Sequence, residues 1–413
     1  MMVEQLVLRN CALLVPGEDS LREGYDILVE GDRIREVSDR RIVSPNARAV
    51  DVHGKTVMPG LIDCHVHVMS VIANPTANAG LPNVTTAYAA IPVLRSMLSR
   101  GFTTVRDAAG ADFFLAQAIE EGYVQGPRIF PSGKALSQTG GHGDFRRRTD
   151  HIEPSCCSDR LGMLTRIEDG VDNVRRAARE ELLKGATQIK ITASGGVASS
   201  ADRIDNTGFS LDEIRAIVEE AEATNTYVMA HAYTPRAIRR ATDCGVRTIE
   251  HGNLVDEETA KRMHDCSVYA VPTLVTYDAL ANHGEHFGLY PESIAKVAAV
   301  REAGFHSLEI FKQAGVRVGF GTDLLGEMHK YQSDEFRIRA NVLKPSEIIA
   351  SATAVNAEIL RMQDQLGCIE PGALADILVV DGNPLRDISL LTGQGEHLIA
   401  IMKSGHFFKE ELA

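Results

Sequence analysis

The sequence predicts a (β/α)8 barrel accompanied by a small β-sandwich. From Val57 onward, short apolar runs alternate with segments of helical periodicity, which is typical of parallel βαβ units. Eight such units within about 300 residues match a (β/α)8 barrel, whose functional side chains lie at the C-terminal ends of the strands. The apolar runs end near Asp63, Asp107, Gly133, Ser194, His231, His251, Thr273 and Asp323.

Both ends of the chain have a different pattern. Apolar and polar residues alternate from Tyr25 to Val29, and the same strand-like texture returns from Ala375 onward. The simplest interpretation pairs the tail with the N-terminal strands. We therefore predict a β-sandwich domain formed by residues 1–57 with 364–413, and a barrel domain at residues 58–363.

Sequence signals mark helix starts between the predicted strands. Ser210 and Glu213 have the spacing of a capping box, and Thr234 stands as an N-cap before Pro235. A last helix of the barrel is predicted over roughly 346–362. These helices supply the crossovers that parallel strands need.

Composition and charge exclude several classes of protein. The 413 residues are 44% hydrophobic and 5% aromatic, as in an ordinary globular protein. With 43 Lys and Arg against 56 Asp and Glu, the formal charge of −13 disfavours nucleic-acid binding. The longest uncharged stretch, 68–94, contains prolines and asparagines and is not expected to cross a membrane.

The N-terminal residues lack the pattern of an export signal. The seven cysteines are scattered without a Cys-x-x-Cys pair, so we expect neither a disulfide framework nor a zinc knuckle. Vicinal Cys156 and Cys157 are interpreted as unpaired. A cytoplasmic location is predicted.

The strongest local motif is the pair His65 and His67 at the end of the first barrel strand. Residues two apart in a strand point to the same side, so both imidazoles can bind one ion. A His-x-His pair also arises by chance, and two histidines in a polar loop are the alternative.

Lys190 lies in the middle of the apolar fourth strand, before a glycine-rich loop. A buried ammonium is costly, and burial lowers the pKa of the amine. A neutral amine can add carbon dioxide, giving a carbamate whose two oxygens can bridge two cations. A lysine that extends out of the strand to solvent is the alternative.

Three further residues that can bind metals end barrel strands. His231 ends the fifth strand, His251 the sixth and Asp323 the eighth. Each alone could be structural. Five such residues and a lysine at one end of a single barrel instead favour a metal centre.

The sequence resembles the amidohydrolase superfamily over almost its whole length. The resemblance is carried by the motifs Pro59–Asp63 with His65 and His67, Lys190, His231, His251, Asp323 and Gly367–Asp376. Within the superfamily it is similar to the prolidase branch, as indicated by Ser137–His142, Lys190–Ile191, Ser194–Val197, His231–Tyr233 and Glu250–Gly252.

The resemblance implies two divalent metal ions, for which zinc suits the mixed imidazole and carboxylate donors. The implied ligands are His65, His67 and Asp323 for the first ion, His231 and His251 for the second, and carboxylated Lys190 as the bridge. Asp323 would also carry a proton from the attacking water to the leaving amine.

Two more residues are implied to act in catalysis. Tyr233, two residues beyond His231, would polarise the scissile carbonyl or bind a substrate carboxylate, and packing on a loop is the alternative. His142 resembles a histidine that contacts the substrate in the family, and a purely structural role is the alternative. The basic run Arg146–Arg148 is interpreted as solvated, with contact to a carboxylate as the alternative.

The resemblance implies hydrolysis of L-Xaa-L-Pro dipeptides, with a small dipeptide as substrate, a homo-oligomer as the assembly and organophosphate esters as a side activity. The alternatives on the same scaffold are Xaa-Arg, Xaa-Lys or N-acyl amino acid hydrolysis and the opening of cyclic amides such as hydantoins and lactams. A non-catalytic homologue is disfavoured because the ligand pattern is intact.

Overall fold

The computed structural model describes residues 5–146, 160–197, 202–284, 286 and 291–412, with the side chains of 291–295 excepted. Its strands are β1 (Gln5–Leu13), β2 (Arg22–Glu30), β3 (Arg33–Ser38), β4 (Arg48–Asp51), β5 (Thr56–Pro59), β6 (Leu61–Val66), β7 (Phe102–Asp107), β8 (Arg128–Phe130), β9 (Ala135–Ser137), β10 (Thr165–Ile167), β11 (Ile189–Thr192), β12 (Val228–Ala232), β13 (Thr248–His251), β14 (Tyr269–Val271), β15 (Ile377–Val380), β16 (Leu398–Lys403) and β17 (His406–Glu410).

Helices connect the barrel strands. They are α1 (Pro75–Ala79), α2 (Asn83–Ser99), α3 (Phe113–Glu120), α4 (Val171–Leu183), α5 (Leu211–Ala223), α6 (Pro235–Asp243), α7 (Glu257–Asp265), α8 (Leu274–His283), α9 (Pro291–Ala314), α10 (Asp334–Arg339), α11 (Pro345–Ser351) and α12 (Ala354–Ile359), with 3-10 turns at Gly326–Tyr331 and Ile388–Leu391. The predicted capping box of Ser210 and Glu213 and the Thr234 N-cap are confirmed. No helix in the described ranges is both long and apolar enough to cross a membrane.

The two ends of the chain meet in one mixed eight-stranded sheet of order β17-β16-β15-β5-β1-β2-β3, with β4 beside β1. The strand pairing that joins the two ends is the antiparallel pairing of β15 with β5. Leu8, Ile27, Val57 and Ile377 are among the side chains of its buried core. The predicted pairing of the tail with the N-terminal strands is therefore confirmed, while the domain boundaries at 57 and 364 stay a prediction.

The barrel consists of two parallel sheets, β6-β7-β8 and β10-β9-β11-β12-β13-β14. The third predicted strand is split: β8 pairs with β7, and β9 pairs with β11. Residues 317–323 close the ring, since Ala270 N–H donates to the Arg317 carbonyl (3.0 Å) and Cys64 N–H to the Phe320 carbonyl (2.8 Å). The predicted (β/α)8 barrel is confirmed.

The single helix predicted over 346–362 is wrong, because the structure has two short helices, α11 and α12. At the break, the carbonyl of Ala352 accepts a hydrogen bond from Ile62 N–H of β6 (2.7 Å). Thr353 then leaves helical geometry, with φ −135° and ψ −95°. The helix therefore ends where the Ala352 carbonyl bonds to a barrel strand.

Asn356, the third residue of α12, holds the barrel closed. Its amide nitrogen donates to the carbonyls of Ile62 (2.7 Å) and Phe320 (2.8 Å), and its oxygen accepts from Phe320 N–H (3.0 Å). The side chain is fully buried. Asn356 thus joins the first barrel strand to the closing segment.

We expect Asn356→Ala to lower the free energy of unfolding by about 3 kcal/mol, since it leaves buried backbone groups without partners. Urea unfolding followed by circular dichroism measures this loss. The control is Asn341→Ala, an exposed residue whose amide bonds carbonyls of its own helix end, with an expected change of about 0.5 kcal/mol. Equal losses of unfolding free energy in the two variants would contradict the role of Asn356 in closing the barrel.

Candidate metal centre

The six predicted ligands lie at one end of the barrel. Their strands are β6 for His65, β11 for Lys190, β12 for His231 and β13 for His251. His67 follows β6, and Asp323 ends the closing segment. The parallel strands point their C-terminal ends to the same side, so side chains far apart in sequence converge there.

His65, His67 and Asp323 form the tightest part of the site. An oxygen of Asp323 lies 3.0 Å from Nε2 of His67 and 3.4 Å from Nε2 of His65. One ligand atom from each residue falls within 4.8 Å of the others, a spacing that can hold a metal ion. Two backbone bonds, from Thr322 and Asp323 N–H to the His65 carbonyl (3.2 and 2.8 Å), set this approach.

Each of these two histidines is anchored through its other ring nitrogen. Nδ1 of His65 lies 2.6 Å from an oxygen of Glu250, and Nδ1 of His67 lies 3.1 Å from the Ala109 carbonyl. Because both partners are acceptors, the proton resides on Nδ1. Nε2 of each ring therefore faces Asp323 and is the nitrogen that would bind a metal, which is the arrangement that metal-binding histidines adopt.

The second pair of histidines is anchored in a similar way. Nε2 of His231 lies 3.2 Å from the Gly195 carbonyl, and Nδ1 of His251 lies 2.8 Å from the Thr273 hydroxyl. Their ring centroids are 4.6 Å apart. One nitrogen of each ring thus remains available as a ligand.

Burial sets the charge of the remaining groups. Desolvation lowers the pKa of His231 and His251 well below the ordinary value, so both rings are neutral at pH 7. Desolvation also lowers the pKa of Lys190 to about 8. Burial alone would raise the pKa of Asp323, but the His65 and His67 rings outweigh it and hold that pKa well below its usual range.

Two of the candidate ligands have strained backbones. His251 has φ +73° and Asp323 has φ +53°, a region that residues other than glycine seldom adopt. Such conformations cost about 1–3 kcal/mol each and are concentrated at functional sites. The barrel therefore holds these two side chains in place at a cost in stability.

Tyr233 and His142 both lie beside the second histidine pair. The ring of His142 stacks on His231 at 4.3 Å between centroids, and the ring of Tyr233 stacks on His251 at 5.3 Å. The Tyr233 hydroxyl lies 2.7 Å from that of Tyr277. The structure therefore brings both predicted residues to the site.

His142 is held as a neutral imidazole. Burial lowers its pKa to about 4. Among the described residues, none lies within hydrogen-bonding distance of its Nδ1. Of the predicted basic run, Arg146 pairs with Asp144. The positions of Arg147, Arg148, Cys156 and Cys157 lie outside the described residues.

Sequence reasoning missed several side chains that support the site. They are Glu250 behind His65, Arg106 behind Glu250, Thr273 behind His251 and Tyr277 behind Tyr233. A signal existed for the first two, since each is a charge inside an apolar strand, as Lys190 is. Tyr277 lies in α8 among apolar residues and resembles an ordinary core tyrosine.

The chain is similar to known proteins over most of its length. A model of the amidohydrolase family matches residues 56–406. An ochratoxinase of Aspergillus niger is 33% identical over 372 residues, which cover 86% of this chain and 75% of the relative.

Two solved structures are similar to this chain over nearly its whole length. A prolidase crystallised with N-methylphosphonate-L-proline is 60% identical, with a TM-score of 0.97 and coverage of 98% of this chain and 100% of that one. A Xaa-Pro dipeptidase with bound methionine is 29% identical, with a TM-score of 0.86 and the same coverage. The resemblance inferred from the motifs is confirmed, and the chain belongs to the amidohydrolase family.

Proposed function

We propose that this protein is a binuclear metal-dependent dipeptidase that hydrolyses L-Xaa-L-Pro dipeptides. The observation that carries the proposal is the 60% identity, across nearly the whole chain, with a prolidase crystallised with N-methylphosphonate-L-proline. The His65, His67 and Asp323 cluster, in which Nε2 of both rings faces the carboxylate, supports the same chemistry.

The donors fit two ions, for which zinc is proposed because imidazole and carboxylate donors suit it. His65, His67 and Asp323 would hold one ion, and His231 and His251 the other. Lys190 would join both as a carbamate. Its burial in β11 and its lowered pKa increase the fraction of neutral amine, which adds carbon dioxide and releases a proton.

A bound metal pair supplies Lewis acidity and lowers the pKa of water, which provides a nucleophile at neutral pH. Asp323 accepts the proton of the attacking water and delivers it to the departing proline nitrogen. Tyr233 and His142, whose rings stack on His251 and His231, would bind the scissile carbonyl or the substrate carboxylate.

The substrate itself limits how it can be recognised. The scissile bond of Xaa-Pro is a tertiary amide without an N–H, so no acceptor in the site can select it through that nitrogen. Specificity must come from the free carboxylate and the ring of proline. We further propose a cytoplasmic location and a homo-oligomeric assembly.

A second candidate activity is hydrolysis of ochratoxin. The 33% identity with an ochratoxinase favours it, and the same donor set would serve. Organophosphate esters are proposed as side substrates, because a nucleophile of this kind also attacks phosphorus.

Replacing Lys190 with methionine should remove the proposed bridge. We expect the variant to bind fewer than the parent's roughly two ions per chain and to lose nearly all turnover. Plasma mass spectrometry and dipeptide assays measure both, with Lys261→Met, at an exposed site, as the control. Added short carboxylic acids should restore part of the activity. A variant with the parent's metal content and rate would rule out the carbamate.

Asp323→Asn keeps an oxygen donor but removes the proton acceptor. We expect kcat to fall by at least about 10²-fold while some metal remains bound. Steady-state kinetics on L-Ala-L-Pro, together with metal analysis of the same sample, test this. If kcat stays within about tenfold of the parent, another group carries the proton.

A substrate panel tests the activity. We expect the highest kcat/KM for L-Ala-L-Pro and L-Met-L-Pro, and much lower values for their carboxamides, which lack the recognised carboxylate. The panel also contains an Xaa-Arg dipeptide, a hydantoin and ochratoxin. Preference for ochratoxin would favour the second candidate, and equal cleavage of acids and carboxamides would contradict recognition through the carboxylate.

A further inference from the structure

A fully buried ion pair lies inside the barrel, behind the candidate metal centre. Arg106 comes from β7 and Glu250 from β13, and both side chains are 0% exposed. One guanidinium nitrogen of Arg106 lies 3.0 and 3.1 Å from the two carboxylate oxygens. The Thr248 hydroxyl bonds both partners.

The pair is directed at His65. An oxygen of Glu250 lies 2.6 Å from Nδ1 of His65, and Nε of Arg106 donates to the carbonyl of Cys64 at 2.7 Å. Arg106 and Glu250 thus hold both the ring of His65 and the backbone just before it. Nε2, the other ring nitrogen, faces Asp323.

Stability alone does not explain the pair. Desolvation of two charges offsets most of their attraction, and apolar residues of similar volume often replace a buried pair without loss. A carboxylate on the ring nitrogen opposite the metal, however, fixes the tautomer and orientation of a histidine ligand. An apolar pair cannot do that.

We propose that Arg106 and Glu250 are positioning residues that hold His65 with its proton on Nδ1 and its Nε2 directed at the metal. Glu250 accepts the His65 proton, and Arg106 fixes Glu250 in place and compensates its charge. The inference rests on the metal centre of the proposed function and does not depend on the dipeptide substrate.

The test variant removes both charges. Arg106→Met alone would leave Glu250 buried without its counter-ion and would destabilise the fold for that reason. The double variant Arg106→Met/Glu250→Met removes both charges of the pair together and keeps similar volume. His65 then lacks its acceptor.

The chain offers a matched control. Arg339 and Glu335 of α10 form another ion pair, and both side chains are 0% exposed. Nε of Arg339 lies 2.7 Å from a carboxylate oxygen of Glu335. Their remaining bonds include the carbonyls of Pro272 and Gly319 and the N–H of Val275, none of them a candidate ligand. Arg339→Met/Glu335→Met therefore removes an equal buried pair without touching a histidine.

Zinc affinity of the metal-free proteins is measured by competition with a chromogenic chelator, and folding by their thermal unfolding. We expect the Arg106 and Glu250 double variant to unfold cooperatively and to bind zinc about 10–100-fold more weakly than the parent, with the control pair within about threefold of the parent. A folded variant with the parent's affinity overturns the proposal. An equal loss in the control does so too, because the effect would then come from barrel packing.

A measurement on the parent protein needs no variant. In zinc-loaded protein with 15N-labelled imidazoles, the ring proton of His65 should reside on Nδ1 and exchange slowly. A proton on Nε2 overturns the proposal even if the double variant fails to fold. A parent that binds no zinc would instead overturn the proposed function itself.

Discussion

The site depends on the closure of the barrel between β6 and residues 317–323. That closure places the N–H groups of Thr322 and Asp323 on the carbonyl of His65, although 257 or more residues separate them in the chain. Without it, Asp323 would not meet the two histidines that begin the barrel. The metal centre is therefore a property of the closed ring and of no single strand.

Each histidine can serve as a metal ligand because its other ring nitrogen makes a hydrogen bond. A buried neutral imidazole has one N–H and one lone pair, and the group that accepts the N–H decides where the lone pair points. Backbone carbonyls accept this proton for His67 and His231, and the Glu250 carboxylate accepts it for His65, whereas His251 pairs with the Thr273 hydroxyl. The carbonyl anchors are insensitive to sequence, whereas the Glu250 anchor needs a counter-ion and therefore Arg106.

Much of this arrangement could be predicted from the sequence. Polar residues at the ends of apolar runs indicated the convergent residues, because the C-terminal ends of parallel strands must meet on one side of a barrel. Contacts across the barrel could not be predicted in this way. Nothing in the local pattern pairs Glu250 with His65, or Tyr277 with Tyr233, since those distances exist only after closure.

The helix break after α11 could not be predicted for a related reason. Helical periodicity continues through residues 346–362, and local propensity gives no cause to stop. The cause is Ile62 N–H, which takes the carbonyl of Ala352 as its partner. A tertiary hydrogen bond to a buried strand outweighs the small propensity differences between helical residues.

The same bond network explains how the strain at the site is sustained. The positive φ values of His251 and Asp323 are not stabilised by those residues' own conformational preferences, so the surroundings must impose them. For Asp323 the surroundings are the closing segment, which Asn356 grips three residues earlier, at Phe320. Through this contact, α12 restrains the closing segment that carries the Asp323 carboxylate. The break in the predicted helix is what allows Asn356 to reach Phe320.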